Sequence, residues 1–287
     1  MKRFSEMKIV IVGLGQIGGS LAMAFANNKI FAEIIGVDKT SGAIEKAKKF
    51  KIIHRGTSDF KKVIPQADLV ILAIPVREII TILPQVASLM KEDAILCDLG
   101  STKTEIFRTM ENLKRPVNYI GLHPMAGTEK EGLDGADANL FVNKTIMLFP
   151  SKNTKKSNLE LIIALMKKLK AMPLIIDEKK HDELMACVSH LPYLFSIALI
   201  NQLNSSNFKK TPKILGGSFR DATRVSLSAP EMMLDILATN KRNIIKQINS
   251  LLLEFSGYKK LLENGDERKL LDKIIKAKQI RTKLKLS

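Results

Sequence analysis

A glycine-rich turn near the N-terminus decides the fold. It reads Ile9-Val10-Ile11-Val12-Gly13-Leu14-Gly15-Gln16-Ile17-Gly18. The apolar residues predict a buried strand and the glycines open a helix, which is the arrangement of a dinucleotide-binding turn. In such a turn Gly13 permits the tight bend, Gly15 lets the backbone approach a pyrophosphate, and Gly18 allows close packing of helix on strand. The pyrophosphate would lie at the helix N-terminus, where N–H groups and the helix dipole favour negative charge.

An acidic residue follows at the spacing that this kind of turn requires. Asp38 ends the second apolar run, 20 residues beyond Gly18. A carboxylate there accepts hydrogen bonds from ribose hydroxyls and repels a 2′-phosphate, so the sequence predicts NAD rather than NADP. The adjacent Lys39 weakens that preference. The residues expected to contact the cofactor are Gly13, Gly15, Gln16, Ile17, Gly18, Asp38, Ile74, Pro75 and Ser101.

Short apolar runs alternate with helical patterns over the first 175 residues. The runs are Lys8–Val12, Glu33–Val37, Leu69–Ile74, Ala94–Asp98, Val117–Leu122, Thr145–Phe149 and Pro173–Ile176. They contain little polar alternation, which is typical of strands buried on both faces. The alternation predicts an α/β fold with a Rossmann-type, doubly wound, mostly parallel sheet.

The pattern becomes all-helical after Ile176. The stretch from Glu178 to Asn204 has helical periodicity, with a break expected at Pro192, and further helices follow a glycine-rich loop. We therefore place a domain boundary near residue 176. Residues 1–176 would form an NAD-binding domain, and residues 177–287 a helical domain for substrate binding and dimerisation.

Composition narrows the class of protein further. The 287 residues are 45% hydrophobic and 26% charged, which is ordinary for a globular protein. The net charge of +17 attracts anions, but an aromatic content of 5% without Trp argues against base-stacking surfaces. Cys97 and Cys187 have no partner at metal-ligand spacing, and no uninterrupted apolar run approaches 18 residues. We expect a reduced, cytoplasmic protein with no metal, no membrane segment and no specific nucleic-acid partner.

Polar residues stand where the ends of parallel strands would form a ligand site. Ser101 follows the run Ala94–Asp98, and His123 follows Val117–Leu122. A histidine beside a nicotinamide can accept a hydroxyl proton while a hydride leaves the same carbon. We therefore expect His123 to be the catalytic base with Ser101 beside it, although Ser101 also suits a helix cap and His123 a structural role.

A glycine pair followed by two arginines stands in the helical part. It reads Gly216-Gly217-Ser218-Phe219-Arg220-Asp221-Ala222-Thr223-Arg224. This pattern predicts an anion-binding turn, because Arg binds a carboxylate through two parallel hydrogen bonds. The alternative is a surface loop with ordinary charges.

The other histidines do not predict a metal site. His181 and His190 are nine residues apart on one predicted helix, so we expect them to face different directions. His54 belongs to no motif and is expected at the surface.

Five segments together resemble the prephenate dehydrogenase family, which includes the arogenate dehydrogenases. They are Gly13–Gly18, Asp98-Leu99-Gly100-Ser101-Thr102-Lys103, His123-Pro124-Met125-Ala126-Gly127-Thr128-Glu129, Ser189-His190-Leu191-Pro192 and Phe219-Arg220-Asp221-Ala222-Thr223-Arg224. The resemblance covers residues 7–260. The third and fifth segments are specific to the family, whereas many dehydrogenases share the glycine turn.

The resemblance implies a reaction and a set of site residues. The family uses NAD to decarboxylate a cyclohexadienyl carboxylate oxidatively: prephenate gives 4-hydroxyphenylpyruvate and arogenate gives tyrosine. His123 matches the catalytic histidine, Ser101 a serine beside it, and Arg224 the arginine that binds a substrate carboxylate. The matches at the site entrance and in the substrate pocket are Glu129, Asp221 and His190. Members are typically dimers joined through the helical domain, so we expect a homodimer.

One departure from the family pattern concerns the substrate. Many members have a second histidine directly after the Ser189–Pro192 segment, where this chain has Tyr193. We expect Tyr193 in the substrate site, where it can donate a hydrogen bond but cannot become cationic, so arogenate stays open beside prephenate.

Two other classes of protein stay open as well. One is a β-hydroxyacid dehydrogenase, which typically moves its proton with a lysine of the helical domain, and the other is a redox-sensing NAD-binding regulator whose basic C-terminus touches nucleic acid.

Overall fold

A sheet forms the centre of the larger part of the molecule. The computed structural model describes residues 3–127, 130–205 and 215–284, and within them the sheet has eight strands. These are β1 Lys8–Val12, β2 Glu33–Val37, β3 Arg55–Thr57, β4 Leu69–Leu72, β5 Ile95–Asp98, β6 Asn118–Pro124, β7 Thr145–Pro150 and β8 Met172–Ile175. Their order is β3-β2-β1-β4-β5-β6-β7-β8, and neighbouring strands are parallel except for β6 and β7. The predicted Rossmann-type, mostly parallel sheet is confirmed.

Helices cover both faces of the sheet. They are α1 Gln16–Asn27, α2 Ser41–Lys49, α3 Val76–Leu89, α4 Thr104–Glu111 and α5 Lys156–Lys168. Successive residues of β1 point into two different cores: Ile9 and Ile11 lie in one, and Val10 and Val12 in the other. Burial on both sides is why this strand has an unbroken apolar sequence.

The strand register brings the carboxyl ends of the parallel strands to one edge. Val12 pairs with both Val37 and Leu72. Leu72 pairs with Asp98, and Asp98 pairs with Gly121. The segments that follow these residues therefore meet at one edge of the sheet, and they are the segments that carry the predicted cofactor and catalytic residues.

A long helix follows the sheet and continues through Pro192. It consists of α6 Glu178–Met185, a π-helical turn Ala186–His190 and α7 Leu191–Ser205. The break predicted at Pro192 is therefore wrong. Pro192 directly follows the π turn, which is the irregular part of this continuous helix, and it has no N–H to donate to the preceding turn.

Two further helices, α8 Gly217–Thr223 and α9 Pro230–Thr239, complete a compact unit that extends to Asn240. A second compact unit begins at Lys241 and contains α10 Lys241–Glu263 and α11 Glu267–Lys283. An ion pair of 2.9 Å between Glu254 and Lys273 joins these two helices. The first unit extends beyond the sheet because α6 packs on α4 and α9 packs on α3. The domain boundary near residue 176 stays a prediction.

The helix Glu178–Leu203 is long and apolar enough to cross a membrane by length and composition, although it contains no uninterrupted apolar run of that length. Three of its polar residues, His181, Asp182 and His190, are buried against other elements of the same unit. The absence of a membrane segment stays a prediction.

Candidate active site

The glycine turn leaves open space at the N-terminus of α1. Gly13 has a φ of +98°, which favours glycine, and a Cβ there would collide with a backbone carbonyl after β4. A Cβ on Gly18 would collide with the Gly13 carbonyl. At Gly15, by contrast, no described atom lies within 4 Å of the position that a Cβ would take. This cradle against the first turn of α1 fits the pyrophosphate of a dinucleotide.

The other residues predicted to contact the cofactor border this turn. Gln16 Nε2 donates to the Lys130 carbonyl at 2.9 Å, which connects α1 to the segment after β6. Ile17 packs against the core on one face of the sheet. Ile74 lies beside the glycine turn, and Pro75 is exposed at the start of α3. The structure therefore brings these predicted residues to the same edge.

Asp38 is fixed beside the glycine turn at the end of β2. Its Oδ2 accepts from the Leu14 N–H and its Oδ1 from the Thr40 N–H, both at 2.8 Å. The adjacent Lys39 pairs with Glu78 at 3.1 Å, and this hydrogen bond raises the pKa of Lys39. Because Glu78 already attracts the ammonium group, the Asp38 carboxylate dominates the charge at the end of β2. This arrangement fits NAD better than NADP.

His123 lies inside β6, near its carboxyl end, and not after the strand as the sequence suggested. It is partly buried, and its Nδ1 lies 2.8 Å from Nε2 of His181. Burial, together with the neighbouring His181, Lys103 and His190, holds the pKa of His123 well below its usual value. His123 is therefore neutral at neutral pH, which a proton acceptor requires.

Ser101 stands three residues past β5, at the same edge as His123. The alternative that Ser101 caps the next helix is wrong, because α4 begins after Lys103 and a distant carboxylate caps it. Asp182 Oδ1 accepts from the Lys103 N–H at 2.9 Å, and Oδ2 accepts from the Thr104 N–H at 2.8 Å. Asp182 therefore fixes the end of the segment that carries Ser101.

His181 and Asp182 are functional candidates that the sequence did not reveal. Both are fully buried, and His181 Nδ1 lies 2.7 Å from Asp182 Oδ1. The His181 ring packs edge-on against His123 and Phe149, with ring centroids 5.0 and 4.8 Å away. Burial acts to raise the pKa of Asp182, but hydrogen bonds from His181 and from the start of α4 lower it. The only sequence signal was an adjacent His–Asp pair, which has no meaning until α6 is packed on α4.

His190 closes the π turn and is also buried. Its Nδ1 lies 3.2 Å from Asn240 Nδ2, and that amide donates to the Asp182 carbonyl at 2.6 Å. Burial lowers the pKa of His190 to about 4. His181 contacts His123 and Phe149 whereas His190 contacts Asn240, so the two histidines have different neighbours although both are buried. Tyr193 is buried against α9.

The predicted anion-binding residues lie on two short helices that pack on α7. Asp221 is exposed on α8, and Arg224 is exposed at the start of a 3₁₀ helix, Arg224–Leu227. This 3₁₀ helix packs on α7, which carries Tyr193. Glu129 lies outside the described residues. The contact of Arg224 with a substrate carboxylate stays a prediction.

A buried ionic cluster supports the site from the side of β5. Lys103 Nζ lies 2.6 Å from Asp98 Oδ1, and the Tyr119 hydroxyl donates to Asp98 Oδ2 at 2.6 Å. Burial lowers the pKa of Lys103, although the attraction of Asp98 acts to raise it. The cluster fixes both ends of the segment that holds Ser101, and the Lys103 charge helps to keep His123 neutral. In the part of the chain that the structure describes, no three His, Cys, Asp or Glu side chains could hold a metal ion.

A dinucleotide turn in a sheet that presents a neutral histidine at the same edge defines a class, the nicotinamide-dependent dehydrogenases. Sequence comparison identifies the family within this class. The family "Prephenate dehydrogenase, nucleotide-binding domain" matches residues 21–174, and "Prephenate dehydrogenase, dimerization domain" matches residues 177–276. The chain belongs to the prephenate dehydrogenase family.

Individual relatives agree with this assignment. The chain is 31% identical to prephenate dehydrogenase of Bacillus subtilis, with 98% of this chain and 78% of that one aligned. The structure of prephenate dehydrogenase from A. aeolicus, in complex with hydroxyphenyl propionate and NAD+, matches with a TM-score of 0.90 at 31% identity, covering 99% and 100% of the two chains. Synechocystis arogenate dehydrogenase matches with a TM-score of 0.83 at 28% identity, covering 97% and 100%. The predicted family is confirmed, and the hydroxyacid dehydrogenase alternative is not retained.

Proposed function

We propose that this chain oxidatively decarboxylates prephenate to 4-hydroxyphenylpyruvate, with NAD as the hydride acceptor. The observation that carries the proposal is the neutral His123 at the carboxyl edge of the sheet, beside a glycine turn that fits a dinucleotide. The 31% identical relative from A. aeolicus was solved with NAD+, which supports NAD for this chain.

His123 moves one proton in this reaction. It accepts the proton of the ring hydroxyl while a hydride leaves the same ring carbon, and bound NAD supplies the acceptor for that hydride. The resulting ring ketone then receives the electron pair of the breaking C–C bond, so CO₂ leaves and the ring becomes aromatic. His123 returns the proton to the phenolate oxygen, and the reaction as a whole neither consumes nor releases a proton.

The remaining residues bind and orient the substrate. Ser101 stands at the same edge as His123, where its hydroxyl can bond to the ring oxygen that loses the proton. Arg224 suits a substrate carboxylate, because a guanidinium binds it through two parallel hydrogen bonds. The residues assigned to the pocket and its entrance are His190, Tyr193, Asp221 and Glu129. The net charge of +17 favours the approach of an anionic substrate and cofactor.

Arogenate is the second candidate substrate, because two side chains assigned to the pocket are compatible with its ammonium group. Tyr193 cannot become cationic, and the pKa of His190, at about 4, leaves that imidazole neutral as well. Two neutral side chains repel the ammonium group of arogenate less than a cationic histidine would. The 28% identical structure from Synechocystis is an arogenate dehydrogenase. The rate of NADH formation with each substrate, measured side by side, distinguishes the two.

We also infer a homodimer in the cytoplasm. Residues 177–276 match a domain described as a dimerization domain. Helices α10 and α11 expose the large apolar residues Leu252, Leu253, Phe255, Leu262, Leu271, Ile274, Ile275 and Ile280. Apolar surface of this extent is usually covered by a partner, and a second copy of the chain is the simplest one.

The substitution His123→Asn tests the proposed function. It retains a polar side chain but removes the base, so kcat should fall by roughly 10²–10⁴-fold with little change in KM. In the wild-type enzyme kcat should decline only at a pH below the usual histidine range, because the pKa of His123 is lowered, and this acid limb should be absent in the variant. A variant with wild-type kcat and an unchanged acid limb would exclude His123 as the base.

A further inference from the structure

The orientation of protons along the chain His123–His181–Asp182 decides whether His123 can act as a base. His123 Nδ1 faces His181 Nε2 at 2.8 Å, and His181 Nδ1 faces Asp182 Oδ1 at 2.7 Å. Each of these two contacts holds one proton. The proton between His123 and His181 can be bonded to either of the two rings. If His123 Nδ1 carries it, Nε2 of a neutral His123 is unprotonated and can accept. If His181 Nε2 carries it, a neutral His123 holds its proton at Nε2 and cannot accept there.

Asp182 determines the first proton of this chain. Besides His181, it accepts two backbone N–H groups at the start of α4, from Lys103 at 2.9 Å and Thr104 at 2.8 Å. A carboxylate with three donors is held in the ionised, accepting form, and an ionised carboxylate has no proton to donate. The proton between Asp182 and His181 therefore lies on His181 Nδ1.

The His181 ring lies in a buried environment formed largely by aromatic rings. The ring is fully buried, and its edges contact the rings of Phe149 and His123. The buried Lys103 ammonium lies over the same Phe149 ring, 5.5 Å from its centroid. A neutral His181 with its proton at Nδ1 presents only a lone pair at Nε2, and His123 Nδ1 must then donate.

We propose that His181 and Asp182 are positioning residues, which hold the proton of His123 at Nδ1 and leave Nε2 as the atom that takes the hydroxyl proton. The inference rests on the proposed function for its kinetic consequence, but the position of the proton can be observed without turnover. The same carboxylate also fixes the start of α4, directly after Ser101. Asp182 thus sets the position of Ser101 and the orientation of His123 together.

The direct test is the tautomer of His123 in the wild-type protein. The chain has only four histidines, so ¹⁵N-histidine labelling gives four ring systems that substitutions can assign. Two-bond ¹H–¹⁵N correlations at neutral pH should show His123 protonated at Nδ1 and unprotonated at Nε2. A His123 protonated at Nε2 would overturn the inference, whether or not the enzyme oxidises prephenate.

Substitutions of His181 test the consequence for catalysis. His181→Leu removes the acceptor, so His123 should lose the fixed Nδ1–H tautomer and kcat should fall roughly tenfold or more, with KM within about twofold. His181→Gln can accept from His123 Nδ1 through its amide oxygen, and it should restore most of kcat and the Nδ1–H signal. His54→Leu is the matched control, because His54 accepts from the Ile34 N–H far from this chain of contacts and should leave kcat unchanged.

Each outcome separates the inference from the proposed function. A wild-type enzyme inactive on both prephenate and arogenate would refute the function, while the tautomer would still decide the inference. An active enzyme in which His181→Leu keeps full kcat would overturn the inference alone. A fall in kcat with the His123 tautomer unchanged, or without rescue by His181→Gln, would show a role in packing only and would also overturn it.

Discussion

Acid should destabilise this protein through His190, and one substitution isolates the effect. His190 is 2% exposed, and burial lowers its pKa from 6.5 to about 4. In the unfolded chain the imidazole titrates near 6.5, so the unfolded state binds the proton first as the pH falls. The contribution of His190 to the free energy of unfolding is therefore fully present above pH 6.5 and is lost as the pH falls towards 4.

The size of the effect follows from the two pKa values. The difference between 6.5 and about 4 corresponds to a loss of about 3 kcal/mol in the free energy of unfolding at pH 4. His190→Asn removes the titration, and its amide oxygen can take the place of the Nδ1 atom that faces Asn240. The variant should therefore show no acid-induced loss of stability from position 190, while it keeps the hydrogen bond to Asn240.

Urea unfolding at pH 7 and pH 4, at one protein concentration, measures the loss in each protein. The wild-type protein should lose about 3 kcal/mol more than His190→Asn between the two pH values. Carboxylates that titrate in the same range are present in both proteins and cancel in the difference. Equal losses would mean that His190 is not a buried neutral imidazole, and the reasoning from burial would be refuted.

Three other predictions concern the cofactor, the assembly and the substrate. Asp38→Ser should relax the preference for NAD, measured as kcat/KM with NAD and NADP, and a wild-type preference for NADP would show that Lys39 outweighs Asp38 despite its pair with Glu78. Light scattering at micromolar concentration should give about twice the chain mass of 32.0 kDa, whereas a mass near that of one chain would rule out a stable dimer. Arg224→Ala should mainly raise KM, by roughly 10- to 10³-fold, because a carboxylate contact made in both ground and transition states affects binding. An unchanged KM would remove Arg224 from the substrate site.

The sheet could be predicted from the sequence because its strands are buried on both faces. Such strands have unbroken apolar runs, and the glycine turn indicated the connection from β1 to α1.

The three-residue strand β3 was missed because Arg55–Thr57 contains no apolar run. It pairs with β2, and an ion pair from Arg55 to Glu33 supports it. Pairing with β2, rather than an apolar run of its own, accounts for the extended conformation of this segment.

The candidate site could be predicted only where its residues follow strand ends or belong to a motif. Ser101 and Asp38 were placed at the sheet edge in this way, and so was His123, although it lies inside β6. His181 and Asp182 were not, because their partners stand far away in sequence on β6 and α4. The helix that carries them was expected to break at Pro192, because local rules cannot show that a π turn precedes the proline and accommodates it.

The π turn at Ala186–His190 determines how the side chains after it are rotated about the helix axis relative to those before it. Successive residues of an α-helix are rotated by about 100°, so one additional residue within a turn redirects every later side chain by that amount. His181 and Asp182 precede the turn, and Tyr193 follows it. An insertion or deletion of one residue there would turn a different side chain towards α9, where Tyr193 packs, without moving the residues that face His123. The predicted substrate side of the helix and the pair that contacts His123 can therefore diverge separately in evolution, although one continuous helix carries both.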